Sequence, residues 1–413
     1  PRRLGSLALS TRARPLALAA ALAGALVASR ASAEILVYTP PPDATPPRDV
    51  SLGIYGWIQP RFQAQQSDDR PVIDLQPNPA FLVERARVGA VGYLGTWGKA
   101  GFEMELAKPQ VTTMDAYVVA TPVDLPIASV SLTAGQFRVP FSRQNLLPSN
   151  SFQLPDVAYF VAPNFLVDRD LGAMLSGDLF WRRAHWSVAM FNGNDNGRGQ
   201  TINSDPYFLF AARLELAPLG PVPRFEGDLR PLNDQHKPLV QVAGSAMRSH
   251  FDDKHVERTY LGGDLAAYWE GASVYGEIFY HVDVPLFTTG PNATSEIKQL
   301  GWNIQGGWFP RLPWVREHIE LVGRVERFDP DEEVTKPDND EDARELTGAN
   351  PTWGYMGFLM GANFFWLYGH DLKLQGSYEV RNETKGCLAN QTGAQCTGYI
   401  ANNLFVLQIT GGF

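Results

Sequence analysis

The sequence predicts an all-β fold, a transmembrane antiparallel β-barrel of about sixteen strands. Three observations predict it. Segments of about ten residues alternate apolar and polar side chains, short and long connections alternate between them, and the number of segments is even. Alternation lets each strand put one face on lipid and the other on water. No stretch beyond the N-terminal region approaches the roughly 18 consecutive apolar residues of a transmembrane helix.

The first 33 residues have the features of a secretory signal peptide. Four arginines precede an uncharged apolar stretch of 13 residues at 16–28, and Ala31, Ser32 and Ala33 supply a cleavage site before Glu34. A membrane-spanning helix needs about 20 residues, so this stretch is too short for an anchor. Residues 34–50 contain five prolines and are predicted to form an extended, unpacked periplasmic linker. The barrel is then assigned to residues 51–413.

Period-two alternation continues through the rest of the chain. In residues 208–216, for example, the even positions are apolar, whereas Arg213 and Glu215 lie on the opposite face. We count sixteen such segments. They start near Ser51, Phe81, Lys99, Asp115, Ser129, Arg169, His185, Tyr207, Leu239, Tyr260, Ala272, Lys298, His318, Gly354, Leu372 and Asn402.

The connections distinguish the two rims of the predicted barrel. Short turns, as at 95–98, 181–184 and 270–271, alternate with longer connections, which is the arrangement of outer-membrane barrels. The connection at 218–238 breaks this rule, because it is long but falls on the short side. Either this turn is enlarged or it hides a further strand pair.

Closure of the barrel pairs the first strand with the last, because an open edge in hydrocarbon leaves backbone groups without partners. An even number of strands also places the start of the first strand and the end of the last strand on the same rim. The last strand alternates well, and its final residue, Phe413, resembles the signal that the outer-membrane insertion machinery reads. The sequence therefore predicts the bacterial outer membrane as the location, with membrane lipids and lipopolysaccharide as neighbours.

Charge and cysteine usage narrow the choice of function. The first 33 residues hold five of the 35 Lys and Arg and none of the 44 acids, so the mature chain would carry a net charge of −14, which argues against nucleic-acid binding. Much of the acid lies at 329–345 and is typical of a solvated loop, although a divalent-ion or lipopolysaccharide-bridging site is an alternative. Cys387 and Cys396 are predicted to form a local disulfide. No cofactor or metal site is predicted.

The connection at 138–168 is the longest, and it lies within the most specific motif. The chain reads GQFRVPFSR at 135–143, DRDLG at 168–172 and FNG at 191–193. This combination resembles the phosphate-selective porin family (porin O and P type), in which a GQF-[KR]-xPF stretch leads into a long third loop, an RD-x-G strand start and an FNG turn. The resemblance covers most of the chain from about 51 to 413, and it is specific in this central block.

The resemblance implies a sixteen-stranded barrel, usually a homotrimer, with the third loop folded into the lumen as a constriction. It also implies passive diffusion of small hydrophilic solutes with a preference for anions such as phosphate. Basic side chains would line the pore, since arginine matches phosphate oxygens in a bidentate manner. The candidates are Arg138, Arg143 and Arg169 in the matching block, Arg85 and Arg87 on one face of the second strand, and Arg61 by parity.

Several alternatives remain open from the residues alone. The arginines could pair with acids such as Glu84, Asp168 or Asp170 and brace the loop rather than bind a solute. The barrel could be a non-selective channel, or one specific for a sugar or an organic acid. A secreted β-sandwich binding protein is an alternative of a different class. An enzyme is not predicted, because none of the seven histidines lies in a GxSxG or HExxH motif.

Overall fold

The structure is a closed antiparallel barrel of sixteen strands, with two short extra strands at its seam. The computed structural model describes residues 34–38, 50–65, 79–193, 203, 207–230, 237–251, 256–285, 297–313, 315, 317–329, 354–366, 369–384, 399–401 and 403–413. Each barrel strand pairs with its sequence neighbour, and the last pairs with the first, so the sheet has no open edge in the membrane. The predicted antiparallel barrel of about sixteen strands is confirmed.

The strand bounds follow the predicted alternation closely, and all sixteen begin within four residues of their predicted starts. The short extra strands are β1 (Glu34–Tyr38) and β17 (Tyr399–Ala401). The barrel strands are β2 (Val50–Gln65), β3 (Ala80–Leu94), β4 (Gly98–Glu105), β5 (Thr112–Asp124), β6 (Ser129–Arg138), β7 (Arg169–Leu179), β8 (Ala184–Phe191), β9 (Leu209–Leu216), β10 (Leu239–Phe251), β11 (Val256–Trp269), β12 (Ala272–Pro285), β13 (Ile297–Trp308), β14 (Ile319–Asp329), β15 (Gly354–Phe365), β16 (Leu372–Thr384) and β18 (Leu404–Gly412).

The burial pattern is the inverse of a soluble protein's. On β9, Phe210 and Leu214 are about half exposed, whereas Arg213 and Glu215 are buried. On β13, Ile304 is exposed, whereas Asn303 and Gln305 are buried. Apolar side chains therefore form the outer surface and polar side chains face the interior, as a membrane barrel requires. Together with the closed sheet, this outer surface identifies an outer-membrane protein.

Helices are few and short in the part of the chain that the structure describes. The helices α1 (Arg143–Leu146) and α2 (Val161–Phe165) both lie in the third loop, residues 139–168, together with a 3₁₀ turn at Ser149–Ser151. No helix among the described residues has the length and apolar character to cross a bilayer.

Residues 34–38, predicted as part of an unpacked linker, instead form β1. This strand pairs antiparallel with residues 52–55 of β2, whereas β18 pairs with residues 57–65 of the same strand. The two partners thus follow one another along the same edge of β2. The physical reason is that β18 stops short of the first residues of β2, whose backbone groups would otherwise lack a partner.

The long connection at 218–238 is an enlarged turn. β9 pairs directly with β10, so no strand pair has been missed between them in the described residues. The described part of this connection, residues 218–230, does not stay at the rim. Its side chains and backbone contact the barrel interior, including Tyr268 on β11 and the third loop.

Candidate functional site

The third loop packs by aromatic side chains against one side of the barrel interior. Phe141 contacts Phe279 of β12 at a ring-centroid distance of 5.8 Å, and Phe165 stacks on the same ring at 5.2 Å. Phe160 stacks on Phe328 of β14 at 5.6 Å. These rings are almost fully buried, so burial of their apolar area holds the loop on this side. We call this side of the interior, which is formed by β12 to β14, the aromatic wall.

Small residues on the aromatic wall make room for these rings. A Cβ at Gly301 of β13 would come within 2.4 Å of Phe160 and 2.8 Å of Phe165. The wall is therefore matched in shape to the loop, and only glycine fits at this position.

The opposite side of the interior carries the arginines and is formed by β2 to β7; we call it the arginine wall. A β-bulge in β3 brings Arg85 and Arg87 onto it. Arg85 pairs with Gln59 of β2, but Val83 pairs with Pro60, so Glu84 is an extra residue that reverses the facing of the strand. Phe81 and Val83 consequently point outward, and Arg85 and Arg87 point inward. Pro60 has no N–H to donate, which suits a bulge.

Arg61 and Arg85 hold the third loop through one carboxylate. Arg61 donates to both oxygens of Asp156, at 2.8 and 3.0 Å, and Arg85 Nη2 donates to Asp156 Oδ1 at 3.1 Å. Burial alone would raise the pKa of Asp156, but the two guanidinium groups lower it well below its usual range. Glu84 lies 3.5 Å from Arg61 and 3.8 Å from Arg85. The loop is thus braced by charge on this side.

Arg87 and Arg169 share a second group of carboxylates. Arg87 contacts Glu105 at 2.9 Å and Glu103 at 3.3 Å. Arg169 Nη2 reaches the same Glu103 at 3.4 Å. Its Nε contacts Asp115 at 2.8 Å, and its Nη1 contacts Asp168 at 2.9 Å. Pairing of these arginines with acids, which the sequence left open, is therefore observed for four of the six candidates.

Arg138 and Arg143 have a different role in the structure. Arg138 donates to the carbonyl oxygens of Asn145 and Leu147 in the third loop. Arg143 donates to Gln241 at 3.1 Å, to the Pro223 carbonyl at 2.7 Å and to the Tyr268 hydroxyl at 2.8 Å. Arg143 lies against the aromatic-wall side rather than with the other five. The structure thus brings five of the six predicted arginines together and separates one.

A cavity of about 480 Å³ lies between the third loop and the arginine wall. Four arginines and one carboxylate, Asp168, line it. The other lining residues are polar or apolar side chains of the third loop. The lining comprises Arg85, Arg87, Arg138, Gln144, Asn145, Ser149, Phe152, Val157, Ala162, Leu166, Asp168 and Arg169. We call this space the arginine cavity.

The motif residues that carry the family resemblance meet one another in space. Gly135 has a φ of +125°, and a Cβ there would lie 2.2 Å from the Ala116 carbonyl oxygen, so only glycine is tolerated. Phe137 packs on Phe191 at 5.0 Å. The Asp170 carboxylate accepts the Gly193 N–H at 2.7 Å, which joins the start of β7 to the FNG turn. These motifs thus shape the ends of β6, β7 and β8 around the third loop.

Sequence reasoning named Glu84 and Asp168 as possible acidic partners of the arginines but missed the other carboxylates of the site. Glu103, Glu105 and Asp115 were detectable by parity, because they alternate with apolar residues on β4 and β5. Asp156 and Glu226 lie in connections, where no alternation marks which side chains turn inward. The anomalous length at 218–238 was the one signal that pointed to Glu226.

Some predictions fall outside the described residues. They concern residues 1–33, the disulfide between Cys387 and Cys396, and nearly all of the acidic stretch at 329–345. Phe413 is described: its N–H and carbonyl pair with Gly56, and its ring packs beside Gly56. Recognition of Phe413 by the outer-membrane insertion machinery stays a prediction.

Solved structures similar to this chain are outer-membrane proteins. A loop-deletion mutant of OmpT, an outer membrane protein of Vibrio cholerae, has a TM-score of 0.51 at 10% identity, covering 88% of this chain and 99% of that one. OprB of Pseudomonas putida has a TM-score of 0.51 at 9% identity, covering 88% and 94%. An anion-selective porin from Comamonas acidovorans, at a TM-score of 0.47 and 12% identity over 88% and 100%, is too distant to carry an argument.

These similarities concern the fold alone. No protein-family model and no curated protein matches the sequence.

Proposed function

We propose that this protein is an outer-membrane channel for passive diffusion of small hydrophilic solutes, with a preference for anions such as phosphate. The observation that supports it is the arginine cavity, which sits inside a barrel of polar interior and is lined by four guanidinium groups against one carboxylate. In a narrow space of low dielectric, fixed guanidinium groups offset part of the desolvation cost of an anion. We further propose the porin O and P type as the relevant family and a homotrimer as the assembly.

The carboxylates of the arginine wall do not remove this preference. The side chains of Glu103 and Glu105 are 5% exposed and, unlike Arg87, they do not line the arginine cavity. Asp156 is already shared by Arg61 and Arg85. The acids therefore orient the arginines, as an outer layer of hydrogen-bonding groups does in preorganised sites. We propose Arg85 and Arg138, which are partly exposed, as solute-facing. Arg87 and Arg169 line the same cavity but are buried, and Arg61 and Arg143 position the third loop.

The geometry gives less support to a sugar-specific channel. Recognition of a neutral sugar depends on aromatic rings presented to the passage, but Phe141, Phe160 and Phe165 of the third loop are buried against the aromatic wall. Phe152 is the one aromatic side chain among the residues that line the arginine cavity, beside four arginines. A non-selective channel differs from our proposal only in charge preference, which a single electrical measurement separates. We retain the prediction that the protein is not an enzyme.

Reversal potential across a planar bilayer tests the proposed function. With the purified protein between two potassium chloride solutions of unequal concentration, we expect a reversal potential of the sign that chloride permeation produces. The preference should weaken at high ionic strength, because salt screens fixed charges beyond about 10 Å at 0.1 M. A reversal potential set by potassium would contradict the anion preference, and a value of zero would favour the non-selective channel.

A further inference from the structure

The turn between β9 and β10 extends into the barrel, and its residues 218–230 form what we call the inner segment. This connection lies on the rim of tight turns, opposite the rim from which the third loop enters. The two nevertheless meet inside: the N–H of Glu226 donates to the Ser151 carbonyl at 3.1 Å, and Arg143 donates to the Pro223 carbonyl at 2.7 Å. These hydrogen bonds connect elements from opposite rims inside the barrel.

One carboxylate lies at the centre of this contact. Glu226 is 2% exposed and accepts three hydrogen bonds, from Gln144 Nε2 at 2.7 Å, from the Gln153 N–H at 2.8 Å and from Gln305 Nε2 at 2.9 Å. Two of these donors are in the third loop and one is on β13. Hydrogen bonds to a charged acceptor are roughly twice as strong as neutral ones. Glu226 therefore joins three separate elements through a single side chain.

Further contacts anchor the inner segment to the turn-side rim. Asp228 accepts the Gly271 N–H at 3.0 Å, and Phe225 packs against the buried rings of Phe309 and Phe365. His370 donates from Nε2 to the Glu226 carbonyl at 3.0 Å. Its other ring nitrogen, Nδ1, lies 2.9 Å from Lys373 Nζ. Burial and then Lys373 hold the pKa of His370, which lies in the β15–β16 turn, well below its usual value.

Inward-facing side chains beside the inner segment are sealed from solvent. Gln305, Glu320 and Lys373 are 0% exposed. Val222 packs over Ala266, Tyr268 and Tyr275, and Ala266 is also 0% exposed. The arginine cavity is open space, whereas the inward-facing side chains named above are covered by the inner segment together with Phe152 and Gln153 of the third loop. A diffusion channel needs a continuous passage, so this cover must be removable for the proposed function to operate.

We propose that the inner segment is a removable plug, held in the barrel by the Glu226 carboxylate, which closes the turn-side half of the lumen. This inference rests on the proposed function as a channel. The contacts suit reversible docking, since they combine hydrogen bonds from side chains and backbone with two small apolar contacts, at Phe225 and Val222, rather than a continuous apolar core. Gln144 both donates to Glu226 and lines the arginine cavity, so the plug is attached to the wall of the proposed passage.

A thiol-labelling experiment tests the plug without depending on ion flow. In a background with Cys387 and Cys396 replaced by serine, Ala266→Cys places a thiol beneath Val222. Adding Glu226→Gln keeps the size of residue 226 but turns an amide NH₂ toward donors, so we expect labelling by a water-soluble maleimide to become about tenfold faster. The matched control is Glu270→Gln on the β11–β12 turn, where Glu270 pairs with exposed Arg311. It should leave the rate unchanged.

Single-channel conductance gives an independent reading. Residues 218–237 are replaced by Asn-Gly, which joins β9 to β10 by a connection of seven residues, since Leu216 pairs with Val242 and residues 217 and 238–241 remain. We expect the conductance to rise at least about twofold, because the plug is absent and the barrel strands remain. Equal labelling rates with Glu226 and with Gln at this position, or a deletion variant that conducts no better than the wild type, would overturn the plug. A potassium-selective wild type would instead contradict the proposed anion preference, without altering either plug measurement.

Discussion

Replacing Arg213 by methionine is expected to destabilise the barrel by about 3–5 kcal/mol, the typical cost of leaving buried charges without their partner. Arg213 is 3% exposed and contacts Asp264 of β11 at 2.6 and 3.0 Å and Glu215 at 2.8 Å. It also donates to the Phe141 carbonyl at 2.9 Å, which ties the barrel wall to the third loop. Methionine fills much of the space but leaves two carboxylates in a site shielded from water. The free energy of unfolding in urea, measured in lipid vesicles, checks this.

Arg248→Met is the matched control for this prediction. Arg248 lies on the neighbouring strand β10 and pairs with Glu257 at 2.7 Å, but its side chain is 66% exposed. Exposed pairs contribute between about 0 and 1 kcal/mol, so this variant should lose little stability. Similar losses of unfolding free energy in the two variants would show that the buried ion pairs of Arg213 do not stabilise the barrel more than an exposed pair does.

Reversing the charge at Arg85 is expected to change the ion preference of the channel from anions to cations. Arg85 lines the arginine cavity, and its side chain is 18% exposed, so a permeating ion can reach it. A unit charge at about 5 Å contributes about 3 kcal/mol at an effective dielectric constant of about 20, and Arg85→Glu reverses the sign of that contribution. It also places a third carboxylate beside Glu84 and Asp156. We expect the anion-to-cation permeability ratio, from the reversal potential at low salt, to fall at least about tenfold.

Arg182→Glu makes the same charge change outside the passage. Arg182 lies in the β7–β8 turn, and its side chain is 73% exposed. Its ion pair with Asp178 is long, at 3.8 Å. Water and salt screen this position, so the permeability ratio should stay close to that of the wild type. An equal effect of both variants would mean that selectivity arises from overall charge and not from the arginine cavity.

Much of the barrel was predictable because a strand has a strict period of two. The alternation in residues 208–216 correctly placed Arg213 and Glu215 inside, and the same reasoning placed Gln59 and Arg61 on the inner face of β2. Short and long connections correctly separated the two rims. These features depend on local sequence, which each strand carries without reference to its partners.

The candidate site was only partly predictable, because its contacts join residues far apart in sequence. Asp156 pairs with Arg61 and Arg85 from a loop with no periodic pattern, and nothing in the sequence near Asp156 marks its partners. The bulge at Glu84 sets which way Arg85 points, and counting residues from Phe81 would not reveal it. Glu226 lies in a turn that the alternation rule only flagged as too long. Tertiary packing, not local preference, decides each of these three cases.

The central claim is that solutes pass between the third loop and the arginine wall, and thiol accessibility within one loop tests it most directly. Ala162 of α2 is exposed and lines the arginine cavity, whereas Ala158, four residues earlier, is 0% exposed and packs with the aromatic wall. Each is changed to cysteine in the background with Cys387 and Cys396 replaced by serine. An anionic methanethiosulfonate reagent should then reduce the conductance of Ala162→Cys, and react faster there than a cationic reagent of similar size, while Ala158→Cys stays unmodified. Modification of Ala158→Cys alone, or faster reaction of the cationic reagent at position 162, would contradict the account.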